Sequence, residues 1–321
     1  MIAYTLRRLF SLIPLLLGIT FLVFFLMHLA PGDITSNAKL ARDIPEEYIQ
    51  TIEKEYGLDQ PFYTQYLLWL KNALSFNLGY SWTYKIPVAE LIQPRLFSTF
   101  ILSLSTLLFV WLLAIPLGVL SALYKDSLWD RITAFLAYSA LSIPEFFFAI
   151  LALYAVAQTG VLPFGGATSF DYELLSPLEK IIDRGYHLIL PTLVLGLNGV
   201  ASIMRVMRAN FLDTLQADYV RTARAKGLPP TAVEFRHVLR NALNPLISSF
   251  GFSLSGLLSG ALIVEIILNY PGLGNLMYTA LIQEDQFVVL ASVLMSGTLL
   301  VLGNLVADIL LAWSDPRIRI Q

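Results

Sequence analysis

The chain has 321 residues, of which 56% are hydrophobic and 14% charged, with no cysteine and a formal net charge of −2. Soluble domains carry about 25% charged residues, so the deficit points to a chain built for a bilayer. Near-neutral charge argues against a generally basic nucleic-acid binder, and the missing cysteines exclude disulfides, thiolate metal sites and cysteine nucleophiles.

Arg7 and Arg8 precede an apolar run over 9–29. A secretory signal has an apolar core of roughly 7–15 residues. This run is longer and only Ala30 suggests processing, so a retained first transmembrane helix is expected. A helix crossing a hydrocarbon core of about 30 Å needs about 20 apolar residues. Six stretches qualify as spans: 9–29, 99–123, 133–157, 188–204, 246–268 and 289–313. The fourth is short and interrupted by Gly196, Asn198 and Gly199, and is expected to continue as helix past Met204. With the N-terminus inside, 13 of the 21 Lys and Arg residues fall in inner segments with six acids, against eight basic and 14 acidic residues outside. Basic residues favour the cytoplasmic side, so both termini are expected there.

The outer segment 30–98 is too long for a turn. Pro45-Glu46-Glu47 opens a helix with acids in its first turn, and Gly57 closes it. Tyr63–Leu74 is aromatic-rich, with Tyr66 and Trp69 three residues apart. It reads either as an interfacial aromatic belt or as part of a small extracytoplasmic cap that seats a partner. The outer loop 158–187 contains Gly and acids and carries no recognisable chemistry.

The inner segment 205–245 is basic and has no membrane-length apolar run. No Gly or Pro interrupts 209–226, so a helix is expected there. Gly227 suits the left-handed residue that closes it, and Arg224 and Lys226 complement the end of its dipole. Pro229 and Pro230 forbid simple continuation. Thr231-Ala-Val-Glu234 reads as a capping box opening a second helix to about Leu243. A basic loop that orients the protein and touches anionic lipid would explain the charge. It would not explain the small residues Ala223, Ala225 and Gly227 beside the bend, which favour close approach of a partner.

No Gly-x-x-x-x-Gly-Lys-Ser/Thr phosphate loop is present, Gly272-Leu-Gly274 lacks the third glycine of a dinucleotide site, and His28, His187 and His237 lie far apart. No catalytic set and no metal set emerges. Three acids remain inside spans: Glu145, Glu265 and Asp308. A charge at the bilayer centre costs about 2.5–3.5 kcal/mol, so each needs a partner, water or protonation. Glu145 beside Pro144 is a candidate for lining a wet path, and Glu265, Asn198 and Asn304 are further candidates, although interhelical hydrogen bonding explains the asparagines equally well. Asp308 reads as an interfacial or interhelical partner.

Asp218-Tyr-Val-Arg-Thr-Ala-Arg-Ala-Lys-Gly-Leu228 resembles the cytoplasmic coupling loop of ABC importer permeases. The general motif is Glu-Ala-Ala, three residues, then Gly. Counted back from Gly227 its first three positions are Arg221, Thr222 and Ala223, so the wording fits the dipeptide/oligopeptide/nickel branch, where Arg replaces the Glu. Ala30-Pro-Gly-Asp33, Tyr56-Gly-Leu-Asp-Gln-Pro61, Leu78-Gly79 with Ser81, Pro87-Val88, Arg205-Val-Met-Arg208, Tyr270-Pro-Gly-Leu-Gly274 and Asp315-Pro-Arg-Ile318 extend the resemblance, in order, over nearly the whole chain.

That resemblance implies an all-α, polytopic, type I ABC importer permease with six spans and an extracytoplasmic cap. It implies a single transmembrane domain over 1–321, an insert at 30–98 and a coupling loop at 205–245. The implied protein is not an enzyme. It pairs with a second homologous permease, couples to one or two ATPases that bind ATP and magnesium, and receives cargo from an extracytoplasmic binding protein. The implied ATPase-coupling residues are Asp218, Arg221, Thr222, Ala223, Arg224, Ala225, Lys226, Gly227, Pro229, Pro230, Thr231 and Glu234. The implied setting is a bacterial or archaeal cell membrane and the implied cargo di- or oligopeptides, with nickel chelate, glutathione or oligosaccharide as alternatives. An independent channel or membrane enzyme would need a symmetric pore motif or a converged catalytic set, and neither is visible.

Overall fold

The computed structural model describes residues 2–29, 46–246, 250 and 261–314. Among the described residues it is helical apart from one small hairpin, and the chain separates into two compact units, Met1–Thr99 with Pro271–Val301, and Phe100–Tyr270 with Leu302–Gln321. Most of the expected fifth span, 246–268, lies outside the described residues.

The first unit opens with α1 (Ile2–Leu29), followed by α2 (Glu46–Tyr56) and α3 (Phe62–Leu74). Gly57 closes α2 at φ +58, with Leu58 N donating to Glu53 O and Gly57 N to Lys54 O. This paired closure satisfies the last carbonyls of the helix and requires the left-handed residue that glycine supplies. The aromatic stretch proves to be core. Tyr66 and Trp69 are buried against Phe24 of α1, and the Tyr66 hydroxyl donates to Leu17 O at 3.1 Å and lies 3.0 Å from Thr20 Oγ1. A belt of aromatics at the membrane surface is therefore not what these two residues form.

Strands β1 (Tyr80–Ser81) and β2 (Ile86–Pro87) pair antiparallel, Tyr80 opposite Pro87. The chain then enters α4 (Val88–Leu123). Ser81 is fully buried and donates from Oγ to Asp285 Oδ2 at 2.6 Å. Asp285 also accepts from Thr83 N at 3.3 Å and Val288 N at 3.4 Å. One buried carboxylate thus ties the hairpin to the start of the last long helix.

The second unit takes in the rest of α4, then α5 (Leu128–Ser142), α6 (Glu145–Thr159) and the 39-residue α7 (Pro177–Leu215). The expected third span, 133–157, is not one straight helix: α5 and α6 meet at 103°. Steric conflict with a proline ring drives the preceding residue out of helical conformation, and Ile143 before Pro144 is extended at φ −97, ψ 126. The fourth span does run on past Met204, to Leu215. Its glycines are packing surfaces, not interruptions. A Cβ on Gly196 would lie 2.5 Å from the Phe109 ring and one on Gly199 2.9 Å from Val110, so α4 rides directly on α7. Near the other end Gly118 of α4 meets Met204 and Met207 in the same way.

After α7 come α8 (Asp218–Ala225), α9 (Pro230–Ala232), a π-helical segment Val233–Val238 and α10 (Leu239–Ala242). Beyond the undescribed stretch lie α11 (Leu262–Ile267), α12 (Leu273–Ile282), which belongs to the first unit, and α13 (Gln286–Ser314). Among the described residues, α4, α7 and α13 are each long and apolar enough to cross a membrane, and the bent α5–α6 pair passes that test jointly.

Candidate functional site

The basic inner segment folds into a knob at the end of α7. Gln216 and Ala217 turn the chain, α8 runs for eight residues, and Gly227 closes it at φ +76. Leu228 N donates to Ala223 O at 3.4 Å and Gly227 N to Arg224 O at 2.9 Å, the same paired closure as at Gly57. A Cβ at Gly227 would meet nothing within 4 Å. Backbone conformation alone demands glycine here, not close approach within the chain.

The expected capping box at Thr231 and Glu234 is not formed. Pro229 is the N-cap, without a side-chain cap bond, and Pro230 occupies the first helical turn. Proline's fixed φ and missing N–H suit that place, so the helix starts two residues early and Thr231 lies inside it. The helix then takes a π-helical course, Leu239 N donating to Glu234 O five residues back. Val233 and Val238 are both fully buried, so this wide turn carries two valines five residues apart inward. π-helical turns are uncommon and are frequent at functional sites.

Beneath the knob lies a single apolar cluster. Val220 and Ala223 of α8, Val233, Val238 and Ala242 pack with Phe211 and Met207 of α7, Val119 and Ala122 of α4, and Ala137 and Ala140 of α5. Ala223, expected at the outer contact surface, therefore faces inward. Asp218, Arg221, Thr222, Arg224, Ala225, Lys226, Gly227, Pro229, Pro230 and Thr231 form the exposed rim, and Glu234 is half-buried. Arg221 pairs with Asp218 at 3.5 Å, but both side chains are wide open to solvent, and such pairs contribute about 0–1 kcal/mol. Three large side chains join the rim: Tyr219, Leu228 and Phe235.

A half-buried ion pair anchors the stem. Arg208 Nε donates to Asp130 Oδ1 and Arg208 Nη2 to Asp130 Oδ2, each at 2.7 Å, and Asp126 N adds a bond to Oδ2 at 3.0 Å. Bidentate arginine–carboxylate pairs fix geometry as well as charge. The bonds from Arg208 hold the Asp130 carboxyl, on the turn before the apolar stretch of α5, below its ordinary pKa even though burial opposes this. One turn away, Arg205 lies over the Tyr138 ring at 4.2 Å. Arg205 and Arg208 thus clamp α7 to α5. Sequence reading counted Asp130 only as a loop charge, and its partner is 78 positions away.

The four proposed path residues fall on four elements of the second unit. Glu145 is the first residue of α6, half-buried at the 103° bend. Asn198 is half-buried on α7, and its Oδ1 is enclosed without a hydrogen-bond partner. Glu265 on α11 is 1% exposed and engaged by a partner, so it does not reach an interface. Asn304 on α13 is half-buried and also engaged. The Asp308 side chain lies outside the described residues.

Comparison with known proteins decides the family. Residues 114–320 match the model of the binding-protein-dependent transport system inner membrane component, and residues 1–105 match the N-terminal model of such membrane components. The chain belongs to this permease family. The oligopeptide transport system permease protein AppB of Bacillus subtilis (strain 168) is 41% identical over 324 residues, covering 99% of this chain and 100% of the relative. The dipeptide transport system permease protein DppB of Escherichia coli (strain K12) is 35% identical over 337 residues, with 99% of each chain covered. The glutathione transport system permease protein GsiC of the same strain is 33% identical over 320 residues, again covering 99% of each. This permease is therefore a helical, multi-pass membrane transport protein and not an enzyme family member, as the sequence resemblance implied.

Proposed function

We propose that this permease is one of two paired membrane subunits of an ATP-driven importer, forms half of its translocation path, and carries di- or oligopeptides. The knob carries the reading. Its rim is exposed, basic and aromatic, while its underside shares one core with α4, α5 and α7. A push on the rim reaches those helices as a shift of packed elements, the usual form of such switching. In this reading an ATPase subunit holds ATP and magnesium and receives the rim from Asp218 to Glu234. An extracytoplasmic binding protein delivers cargo, and the knob and both termini are cytoplasmic, a reading that the distribution of Lys and Arg supports. Glu145, Asn198 and Asn304 line the path, whereas Glu265, a candidate from the sequence, is buried within the chain and supports its wall from behind. The oligopeptide and dipeptide systems named among the relatives support a peptide cargo, and the glutathione system supplies the second reading.

The test is reconstitution in proteoliposomes with a second permease, ATPases and a binding protein from the same organism. ATP-dependent accumulation of a labelled dipeptide is expected. Accumulation of glutathione or a nickel chelate without peptide would overturn the cargo, and uptake that ignores ATP would overturn the importer. Glu145→Ala is expected to lower uptake while ATPase subunits stay bound; an unchanged rate and cargo profile would remove Glu145 from the path.

A further inference from the structure

The break between α5 and α6 leaves a charge unanswered. Ala137 and Ala140 of α5 share a core with Ala201 and Met204 of α7, whereas Ala149 and Val156 of α6 share one with Leu190, Val194 and Leu195. Glu145, the first residue of α6, is therefore level with about residues 195–201 of α7, near the middle of the apolar run 188–204. The dipole of α6 favours an ionised carboxylate at this first turn, yet a charge at mid-membrane is costly unless something neutralises it. Glu145 is half-buried, and among the described residues nothing bonds to or pairs with its carboxylate.

No span of the chain can supply the opposite charge. The six apolar runs contain no Lys or Arg, and their one histidine, His28, lies at the end of the first. Residues 247–260 bring serines but no cation. The α7 arginines that flank this level are engaged: Arg205 lies over the Tyr138 ring, Arg208 pairs with Asp130, and Arg184 lies over the Tyr172 ring. Three further polar atoms near this level are enclosed without a hydrogen-bond partner: Thr106 Oγ1 and Trp111 Nε1 of α4, and Asn198 Oδ1 of α7. Phe109 and Val110, which lie against Gly196 and Gly199, set that part of α4 at the same height. Thr106 and Asn198 can accept a hydrogen bond, and Trp111 can only donate one. A bare metal ion offers Trp111 no acceptor. The amino end of a peptide matches the whole set, because a cationic ammonium is followed at once by an amide carbonyl.

We propose that Glu145 receives the α-ammonium group of a peptide at mid-membrane, so that the permease itself selects cargo with a free amino end. This rests on the reading of the chain as a peptide-importing permease, which ATP-driven uptake of dialanine by the wild-type complex tests separately. The experiment compares uptake of labelled dialanine with that of lactyl-alanine, which has a hydroxyl in place of the ammonium. Each enters proteoliposomes of the full complex from preloaded binding protein, so that delivery is equal. The wild type is expected to favour dialanine by roughly tenfold or more, the effect of one hydrogen bond between charged groups. Glu145→Gln keeps the size of the side chain without its charge and is expected to lose that preference, whereas Glu145→Asp keeps it. Equal uptake of the two compounds by the wild type would overturn the proposal. So would an intact preference in Glu145→Gln, since glutamine mimics a protonated acid with no charge to offer. Loss of the second permease from the purified Glu145→Gln complex would overturn it as well, by giving the carboxylate its partner in another subunit.

Discussion

The two ends of α7 solve opposite problems. At the knob, the chain folds back and buries its own apolar residues, Val220, Val233 and Val238, leaving charge and a few aromatics outside. At the far end, the chain engages half-buried polar residues, Asp183 with Ser169 and Tyr172 with Lys180 and Arg184, and leaves Leu178, Ile181 and Ile182 outside. The first surface is complete without a partner and suits one that docks, pushes and lets go. The second leaves apolar side chains open on the side that the polar contacts of Ser169 and Tyr172 do not cover. One continuous helix, α7, carries both ends.

Four substitutions probe how firmly the knob end is built. The largest effect is expected from Asp130→Ala, which strips Arg208 of both its 2.7 Å bonds. Losing hydrogen bonds to a charged group costs about 1.5–3 kcal/mol, and a lowered melting temperature of the purified complex would register it. An unchanged melting temperature would mean that α7 is not held by this pair. Next, Gly227→Leu places a side chain at φ +76, which costs about 1–2 kcal/mol. Peptide-dependent ATPase activity is expected to fall with uptake, or to run on without it, because the bend sets the angle of the rim; normal coupled uptake would sink the role of the knob.

Smaller effects separate the remaining details. Replacing a true N-cap threonine by alanine costs about 1 kcal/mol, but Thr231 is inside the helix and Pro229 holds the cap. Thr231→Ala is therefore expected to leave the melting temperature where it was, and a clear drop would restore the capping box. Arg221→Ala breaks a pair exposed on both sides, so stability should move by no more than a few tenths of a kcal/mol. Any loss of ATPase binding by this variant is then a property of the rim and not of the fold.

Local signals in the sequence served well wherever the cause was local. Gly57 and Gly227 announce left-handed closures, and both occur as read. The helical run past Met204 follows from the absence of Gly and Pro. The same absence extends to Lys226 and hid the turn at Gln216 and Ala217, which ends α7 at Leu215 and splits the helix expected over 209–226. Thr231 misled because a capping pattern and a Pro230 first turn compete for one start, and the ring wins by removing an N–H that needs no partner. Apolar continuity over 133–157 gave no hint of direction, so the turn at Pro144 was hidden in it. Tyr66 and Trp69 look alike in a membrane belt and in a core, because what distinguishes the two is Phe24 and Thr20, more than 40 positions earlier. The anchor pair escaped for the same reason: charge counting assigns sides of a membrane and cannot match Asp130 with Arg208.

The tie between Ser81 and Asp285 bears on how the chain is made. It joins residues 204 positions apart, and the unit that contains it is assembled from Met1–Thr99 and Pro271–Val301. Domains tend to fold in the order of their synthesis, at roughly 5–20 residues per second. This one cannot, because its buried serine waits for an aspartate near the end of the message. The early helices and hairpin emerge with Ser81 lacking Asp285 and Gly79 lacking Phe287, and remain so until the start of α13 is made. A ribosome stalled just after Tyr270 would leave the second unit nearly whole and the first one open, so truncation there is a fair assay for what guards an unfinished membrane protein.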